Sequence, residues 1–393
     1  MANVSSSNGL EKRPKLRFPG FDEPWEMFKA EDLFRNVTDK NHPGETVLTI
    51  IQGRGTMPRD QAGRNIHYDD KSLSGYKRTE CGDYIIHLRS FEGGLEMANE
   101  AGIVSPAYTI LRCSKPHSSL FFNAYFHTDE FINHVLAKSV EGIRDGRQIS
   151  YEAFKWLGIP YCHPDEQAKI ARLFDILEQR IEKQRQLVDA LKKYKRGLLK
   201  AVFTREVQLD SSLHWERRLF AEIAFLSKGK YTPKQSESIP CVELEHLEQN
   251  TGRIIGHTNS SEQNSVKSIF HKGDVLFGKL RPYLRKFALP EFDGVCSSEI
   301  WVLCPMCGID SSFLFYLVQS EDFIAAANIS SGTKMPRAEW SKVSNESFFV
   351  PALPEQKRIS QMFASLDQHI ANAISCLEVL HNLKHGLLQQ LFI

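Results

Sequence analysis

Apolar residues recur with a heptad rhythm in two stretches of the chain. In the first stretch the recurring positions are Ile170, Leu177, Ile181, Gln184, Val188, Leu191, Lys195, Leu198 and Val202, in steps that alternate between four and three beyond 177. In the second they are Ile359, Leu366, Ile370, Ala373, Leu377, Leu380, Lys384, Leu387 and Leu391. A mean spacing of 3.5 residues places such a set along one seam of a helix and predicts helix pairing through that seam. A helix of this length is stabilised mainly by burying its seam and only weakly by propensity. Each stretch therefore has an obvious partner in the other; two independent helices, each docked on its own globular neighbour, are the alternative. At ~1.5 Å per residue, such a helix spans roughly 57 Å.

The two stretches are copies of one another. Residues 166–203 align with 355–392 at a constant offset of 189 without a gap, and thirteen of the 38 positions are identical. These are Glu166/Glu355, Gln167/Gln356, Ile170/Ile359, Phe174/Phe363, Leu177/Leu366, Gln179/Gln368, Ile181/Ile370, Leu191/Leu380, Lys195/Lys384, Gly197/Gly386, Leu198/Leu387, Leu199/Leu388 and Phe203/Phe392. Sparser landmarks extend the repeat upstream: Trp25-Glu26 with Trp215-Glu216, Gly82-Asp83 with Gly273-Asp274, Gly102-Ile103-Val104-Ser105 with Gly294-Val295-Cys296-Ser297, Gly146 with Gly332, and Ile159-Pro160 with Val350-Pro351. Between landmarks the halves diverge almost completely. A common frame carrying two different surfaces is the expected result, arranged about a pseudo-twofold axis.

Upstream of each long helix the pattern is mixed. Short β-branched and aromatic runs bounded by turn residues predict strands over 46–51, 84–88 and 108–111 in the first half and over 275–277 and 300–303 in the second. The stretches 128–137 and 312–327 read as helices. The expected fold class is α+β: two similar globular heads separated by two long helices that form an antiparallel intramolecular coiled coil. The corresponding divisions are a mobile tail over 1–14, heads over 15–163 and 205–353, and helices over 164–204 and 354–393. A parallel pairing between two chains satisfies the same heptads.

Composition narrows the function. With 41% apolar and 25% charged residues and a formal charge of +1, the chain is an ordinary globular one with no global electrostatic footprint. No apolar run reaches membrane-spanning length, and no secretory leader is legible at the start. Eight scattered cysteines read as reduced cytoplasmic thiols; Cys304 and Cys307 have metal-like spacing but no second pair to complete a zinc site. Gly273 to Lys279 matches the spacing of a phosphate loop, yet Leu280 stands where a Mg²⁺-binding hydroxyl is needed. No methyltransferase Asn/Asp-Pro-Pro-aromatic loop and no nucleophile triad can be assembled, so neither catalytic nor metal-ligating residues are assigned. Asp165 and Glu166 suit the positive end of the helix dipole.

Local charge is more telling. The first helical stretch has ten Lys/Arg against five Asp/Glu, whereas the second has three of each. The run Lys192-Lys193-Tyr194-Lys195-Arg196 either approaches a phosphate backbone or forms a solvated face. In the second head Lys279, Arg281, Tyr283, Arg285 and Lys286 cluster within eight residues, a composition suited to phosphate and base contacts. Stabilisation of a strand-to-loop corner by Arg281 and Tyr283 is the competing reading. Arg89 is the nearest counterpart in the first head. Arg147 and Gln148 there, and Thr333 and Lys334 in the second, sit in polar turns before the long helices and are further candidates.

The Glu-Gln-x-x-Ile opening, the leucine seam and the Leu-Leu-x-x-x-Phe ending, occurring twice, resemble the specificity subunit of type I restriction-modification enzymes. The Trp-Glu pair and the segment 273–283 are similar to that family's target recognition domains. The resemblance implies that each head reads one half of a split, asymmetric site in double-stranded DNA. It also implies that the helices dock two modification subunits and, through the complex, ATP-driven restriction subunits. S-adenosylmethionine, ATP and Mg²⁺ are then expected on those partners and no cofactor on this chain, in a bacterial or archaeal cytoplasm. The pairing or docking residues are Ile170, Leu177, Ile181, Val188, Leu191, Leu198, Ile359, Leu366, Ile370, Leu377, Leu380 and Leu387. The polar seam members Gln184, Lys195 and Lys384 point to helix surface left for another protein. The competing classes are a self-contained DNA methyltransferase or nuclease, and a coiled-coil scaffold that ignores DNA.

Overall fold

The computed structural model describes residues 12–63, 70–142, 147–207, 214–329 and 335–392. The chain divides into two compact units, Met1–Arg185 with Ser375–Ile393, and Gln186–Ile374. Each therefore combines a head with part of both long helices, Pro164–Phe203 and Leu353–Phe392. Of the tail expected over 1–14, residues 1–11 lie outside the described residues, while Lys12 exchanges backbone hydrogen bonds with Trp25 at 3.0 and 2.8 Å.

Both heads are built on one plan. In the first unit Glu26–Lys29 pairs antiparallel with Gly158–Tyr161, so the start and end of the head lie side by side. A short helix, Ala30–Leu33, leads into a four-stranded antiparallel sheet ordered Phe34–Val37, Thr109–Cys113, Tyr84–Ile86, Glu96–Met97. In the second unit Glu216–Leu219 pairs with Ser347–Val350, and the sheet runs Ala224–Leu226, Ile300–Pro305, Val275–Gly278, Phe287–Ala288. The phosphate-loop-like spacing thus falls on a buried central strand.

The landmarks have local reasons. Gly82 and Gly273 turn with φ of +91° and +93°, and the following aspartates close those turns: Asp83 accepts from Glu80 N and Asp274 from His271 N, both at 2.8 Å. At Gly102 and Gly294 a Cβ would come within 2.5 Å of Thr46 O and 2.7 Å of Pro240 O, so close backbone approach excludes a side chain. The heads diverge in the chain between frame strands. The first has a hairpin, Leu48–Ile51 with Gly55–Pro58, whereas the second has a five-stranded sheet that includes Lys267–Phe270 and Pro240–Val242.

The helix expected over 312–327 is two helices, Ser311–Leu317 and Glu321–Ala327, because Ser320 Oγ accepts from Phe323 N and caps a fresh start. The one expected over 128–137 is instead a π-helical turn, Glu130–Val135, followed by a 3-10 turn. The helix Ser119–Phe126 buries Phe121, Phe122, Tyr125 and Phe126 along one face, but Leu120, exposed on the other, is also apolar and blurs the amphipathic signature.

The Glu-Gln opening is a clamp. Gln167 Nε2 donates to Cys162 O at 2.8 Å, and its Oε1 accepts from Ser118 N, just before helix Ser119–Phe126. Gln356 repeats this with Pro351 O at 2.9 Å and with Asp310 N, just before Ser311–Leu317. Glu166, beyond its place near the helix dipole, is buried and accepts from Trp25 Nε1 at 3.0 Å and from Arg17.

The helix ends enter the head cores. In the first unit Ile170, Phe174, Leu388, Leu391 and Phe392 join Trp25 and Phe121, with Phe174 and Phe392 stacked at 6.1 Å. In the second, Leu199, Val202, Phe203, Ile359 and Phe363 join Phe313 and Tyr316. Along the seam, Ile170, Leu177, Ile181, Val188, Ile359 and Ile370 are buried, while Leu191, Leu198, Leu366, Leu377, Leu380 and Leu387 are half-buried. Within each unit the two helices run antiparallel.

The seam lysines differ from the expectation that they await a partner protein. Lys195 is buried and bonds Asp367 at 2.6 Å and Gln319 Oε1 at 3.2 Å, while Tyr316 OH donates to the same aspartate. Lys384 pairs with Glu178. Each pair is the other shifted by the sequence repeat, since Lys195 maps to Lys384 and Glu178 to Asp367.

A second buried tie braces the first head. Glu96, fully buried, accepts from Gly53 N at 2.6 Å and Gly55 N at 2.9 Å, and contacts His127 Nε2 at 3.2 Å. Burial is the largest single influence and opposes charge on both side chains, but it is outweighed by their mutual hydrogen bond and attraction together with the backbone bonds from Gly53 and Gly55 to Glu96 and from His127 to Asn123 O. Glu96 is held below its ordinary 4.5 and His127 above its ordinary 6.5.

Two outcomes follow from these ties. Lys195→Met leaves buried acceptors unmet and costs about 2–3 kcal/mol in chemical denaturation, against less than about 1 for Lys384→Met in its more exposed pair; equal costs would refute the buried lock. The Glu96 contribution is present above its ordinary pKa and lost as pH falls through its lowered value. That of His127 is present below its ordinary pKa and lost as pH rises through its raised value. Amide exchange at Gly53 and Gly55, corrected for intrinsic rates, is therefore slowest across pH 4.5–6.5 and accelerates on both sides; protection that ignores pH would exclude the tie.

Candidate nucleic-acid interface

In each unit the chain leaving the central strand of the four-stranded sheet meets the segment that precedes the closing strand. In the second unit Leu280 bridges to Arg337, Arg281 N donates to Pro336 O at 2.8 Å, and Ala338 N donates to Lys279 O at 2.8 Å. Arg281 and Arg285, with φ of +53° and +50°, flank the tight turn Pro282–Leu284. Thr333 and Lys334 lie outside the described residues; the chain directly after them, 335–338, forms this junction. In the first unit the short helix Ser90–Gly93 follows strand Tyr84–Ile86, and the Arg147 guanidinium lies 4.2 Å over the Phe91 ring. Gln148 is exposed on the strand Gln148–Ile149.

The basic candidates separate into committed and open side chains. Arg285 is ion-paired with Glu321 and reaches Gln319 O, and Lys286 Nζ donates to Leu244 O at 2.5 Å, so both are internal braces. Arg281 and Tyr283 are exposed, and Lys279 is half-buried; none of the three has a side-chain hydrogen bond or ion pair among the described residues. Arg89 is exposed and pairs with Glu92 at 2.8 Å, a surface contact that is cheap to break. In the run 192–196, Lys192, Lys193, Tyr194 and Arg196 are exposed, but Lys195 turns inward to Asp367.

Two loop tips missed by the sequence reading lie against these same segments. In the first unit the hairpin tip Gln52-Gly53-Arg54 is held by Glu96 and by Asn99 Nδ2, which donates to Arg54 O at 2.7 Å and Thr56 O at 2.9 Å. It abuts the short helix so closely that a Cβ on Gly93 would stand 1.9 Å from Gln52 Nε2. In the second, Gln249 bridges to Lys286, Asn250 N donates to Arg285 O at 2.9 Å, and Glu248 N donates to Arg253 O at 3.0 Å. The side chains of Arg54, Gln249 and Asn250 are exposed and have no partner among the described residues. Their signal was present in the turn sequences Gly53-Arg54-Gly55 and Asn250-Thr251-Gly252, but such turns are common.

Among the described residues little else offers chemistry. An open recess of about 500 Å³ in the first unit is lined by Phe21, Trp25, Tyr161 and Cys162, whose thiol is pushed far up by burial and by Glu166. Among the described residues no group of three or more His, Cys, Asp or Glu gathers to hold a metal, and no helix is long and apolar enough to cross a membrane.

Known proteins resemble the chain in sequence and in fold. Residues 214–376 match the family model of the type I restriction modification DNA specificity domain. The chain is 28% identical over 186 residues to the type I restriction enzyme EcoDI specificity subunit of Escherichia coli, covering 46% of this chain and 41% of that protein. It is 26% identical over 257 residues to the MjaVIII specificity subunit of Methanocaldococcus jannaschii, covering 56% and 58%. The chain thus spans about half the length of the curated relatives it matches. The HsdS subunit of Thermoanaerobacter tengcongensis superposes with a TM-score of 0.50 at 16% identity over 97% of this chain and 98% of that one. The S subunit from M. genitalium does so with a TM-score of 0.56 at 15% identity over 97% and 99%. Over residues 214–376 the chain is thus similar in sequence to the type I restriction modification DNA specificity domain, and over nearly its whole length it shares the fold of S subunits of type I restriction-modification systems.

Proposed function

We propose that this chain is the DNA-reading, non-catalytic subunit of a type I restriction-modification complex, each head reading one half of a split, asymmetric duplex site. The observation that carries this reading is one four-stranded frame built twice, with different loops at the same place on each. A shared frame sets geometry, whereas divergent loops supply different hydrogen-bonding edges. The open cations Lys279 and Arg281 support phosphate contact, with Tyr283 beside them, as does Arg89 in the first head once its surface pair with Glu92 is given up. Thr333, Lys334, Arg147 and Gln148 remain part of the proposal as neighbours of those segments. The long helices dock two modification subunits, which bring S-adenosylmethionine, and through the complex restriction subunits bring ATP and Mg²⁺. Exposed apolar side chains on the helices, Ile176, Val379 and Leu383 in the first unit and Leu187 in the second, are suited to such docking.

Co-purification with the modification subunit, followed by mapping of methylated adenines in host DNA, tests the reading. One split motif is expected, altered in a single half when residues 21–150 are exchanged for another head; an unmodified genome and a chain indifferent to DNA would leave only a scaffold. Within the complex, Arg281→Ala should weaken binding evenly across sequences and lower the salt slope by about one. Arg285→Ala should instead lower the denaturation midpoint, with a salt slope like the parent's; the reverse pattern would show that the brace and the contact are misassigned.

A further inference from the structure

In both heads a tip of quite different sequence is fixed against the segment that leaves the central strand. In the first, Gly53 and Gly55 donate to the buried Glu96, Asn99 bonds the Arg54 and Thr56 carbonyls, and Gln52 lies on Gly93. In the second, Gln249 and Asn250 are tied through their main chain to Lys286 and Arg285. Those two residues are themselves anchored by Leu244 O and by Glu321. Asn250 adopts φ of +61°, a left-handed conformation that asparagine tolerates at a tight turn.

Apart from Gln52, the bracing grips the tips by their main chain and leaves the side chains of Arg54, Gln249 and Asn250 unspent. Arg54 at one tip and Gln249 with Asn250 at the other are exposed and without partners among the described residues. A mobile loop with such residues would lose their conformational freedom on binding; a braced one has little left to lose. The chemistries differ in a way that bears on sequence. A guanidinium offers two parallel donors, matching O6 and N7 of guanine, whereas a carboxamide offers one donor and one acceptor, matching N7 and N6 of adenine.

We propose that these two braced tips are the base readers: Arg54 takes a guanine edge in the half-site of the first head, and Gln249 with Asn250 takes an adenine edge in that of the second. The inference rests on the DNA-reading function proposed above and assigns its specificity to residues. Arg281, Tyr283 and Arg89, beside the tips, then hold phosphates and carry no sequence preference.

The test is motif mapping in cells that express the full chain with its modification subunit, for the parent, Arg54→Ala, Gln249→Ala and Asn250→Ala. In the parent, a split motif with a guanine in one half and an adenine in the other is expected. Arg54→Ala should relax the guanine position alone, and Gln249→Ala or Asn250→Ala the adenine position alone, each by roughly ten-fold in preference. Gln249→Glu guards against loss of folding, because a carboxylate accepts from cytosine N4 and should shift that position toward cytosine with methylation retained. Parent-like motifs in all variants, or relaxation in the half assigned to the other head, would overturn the assignment while leaving the DNA-reading function intact. A parent that methylates no split motif would overturn the function itself, and this inference with it.

Discussion

A phenylalanine at the last turn of each long helix governs the architecture of its unit. Phe392 packs on Trp25, Phe121, Tyr125 and Phe174 in the first unit, and Phe203 packs on Phe313 in the second. Neither head core is complete without the end of one long helix and the beginning of the other. Folding of a head therefore requires the two helices to meet, antiparallel, at one register. That constraint explains why the helical segments keep thirteen identities while the surrounding surfaces drift. A substitution in a tip alters only the side chain displayed there; a shift of helix register would empty two aromatic sites.

Polar groups then select the register. Leucine seams tolerate slippage by a heptad, since one apolar side chain resembles another. A lysine in the seam does not, because moving it leaves an ammonium without its carboxylate. Lys195 with Asp367 and Lys384 with Glu178 supply that discrimination, and the Gln167 and Gln356 clamps set each helix start against its head. The asymmetry between the pairs is physical: the first is buried and shared with Gln319 and Tyr316, whereas the second lies nearer solvent.

The frame also explains how divergence is accommodated. Glu96 with His127 in one head, and Lys286 with Arg285 in the other, solve one problem by unrelated chemistry, that of holding a polar tip still. A rigid loop can change its displayed side chains without remaking its supports. Here the supports hold the main chain of the tip, so they are indifferent to the side chain displayed.

Much of the fold was legible in the amino-acid sequence because periodicity and repetition are local properties. The heptads located both helices, the constant offset paired them, and the Gly-Asp and Gly-x-x-Ser landmarks marked tight turns and close approaches. Segments 312–327 and 119–126 were misread or missed because a serine cap interrupts the first and an exposed apolar residue, Leu120, blurs the periodicity of the second. The proposed contact surface was less legible still. Lys279 through Lys286 read as one basic cluster, yet Arg285 and Lys286 point into the unit while Arg281 and Tyr283 point out. Charge is written in the sequence; whether a charge is already neutralised depends on residues far away, here Glu321 and Leu244. For the same reason Lys195 could be read as waiting for another protein when its partner was Asp367. Periodic burial is set by neighbours three or four residues apart, so the sequence determined it; the spending of individual polar groups is set by long-range packing, which only the tertiary structure decided.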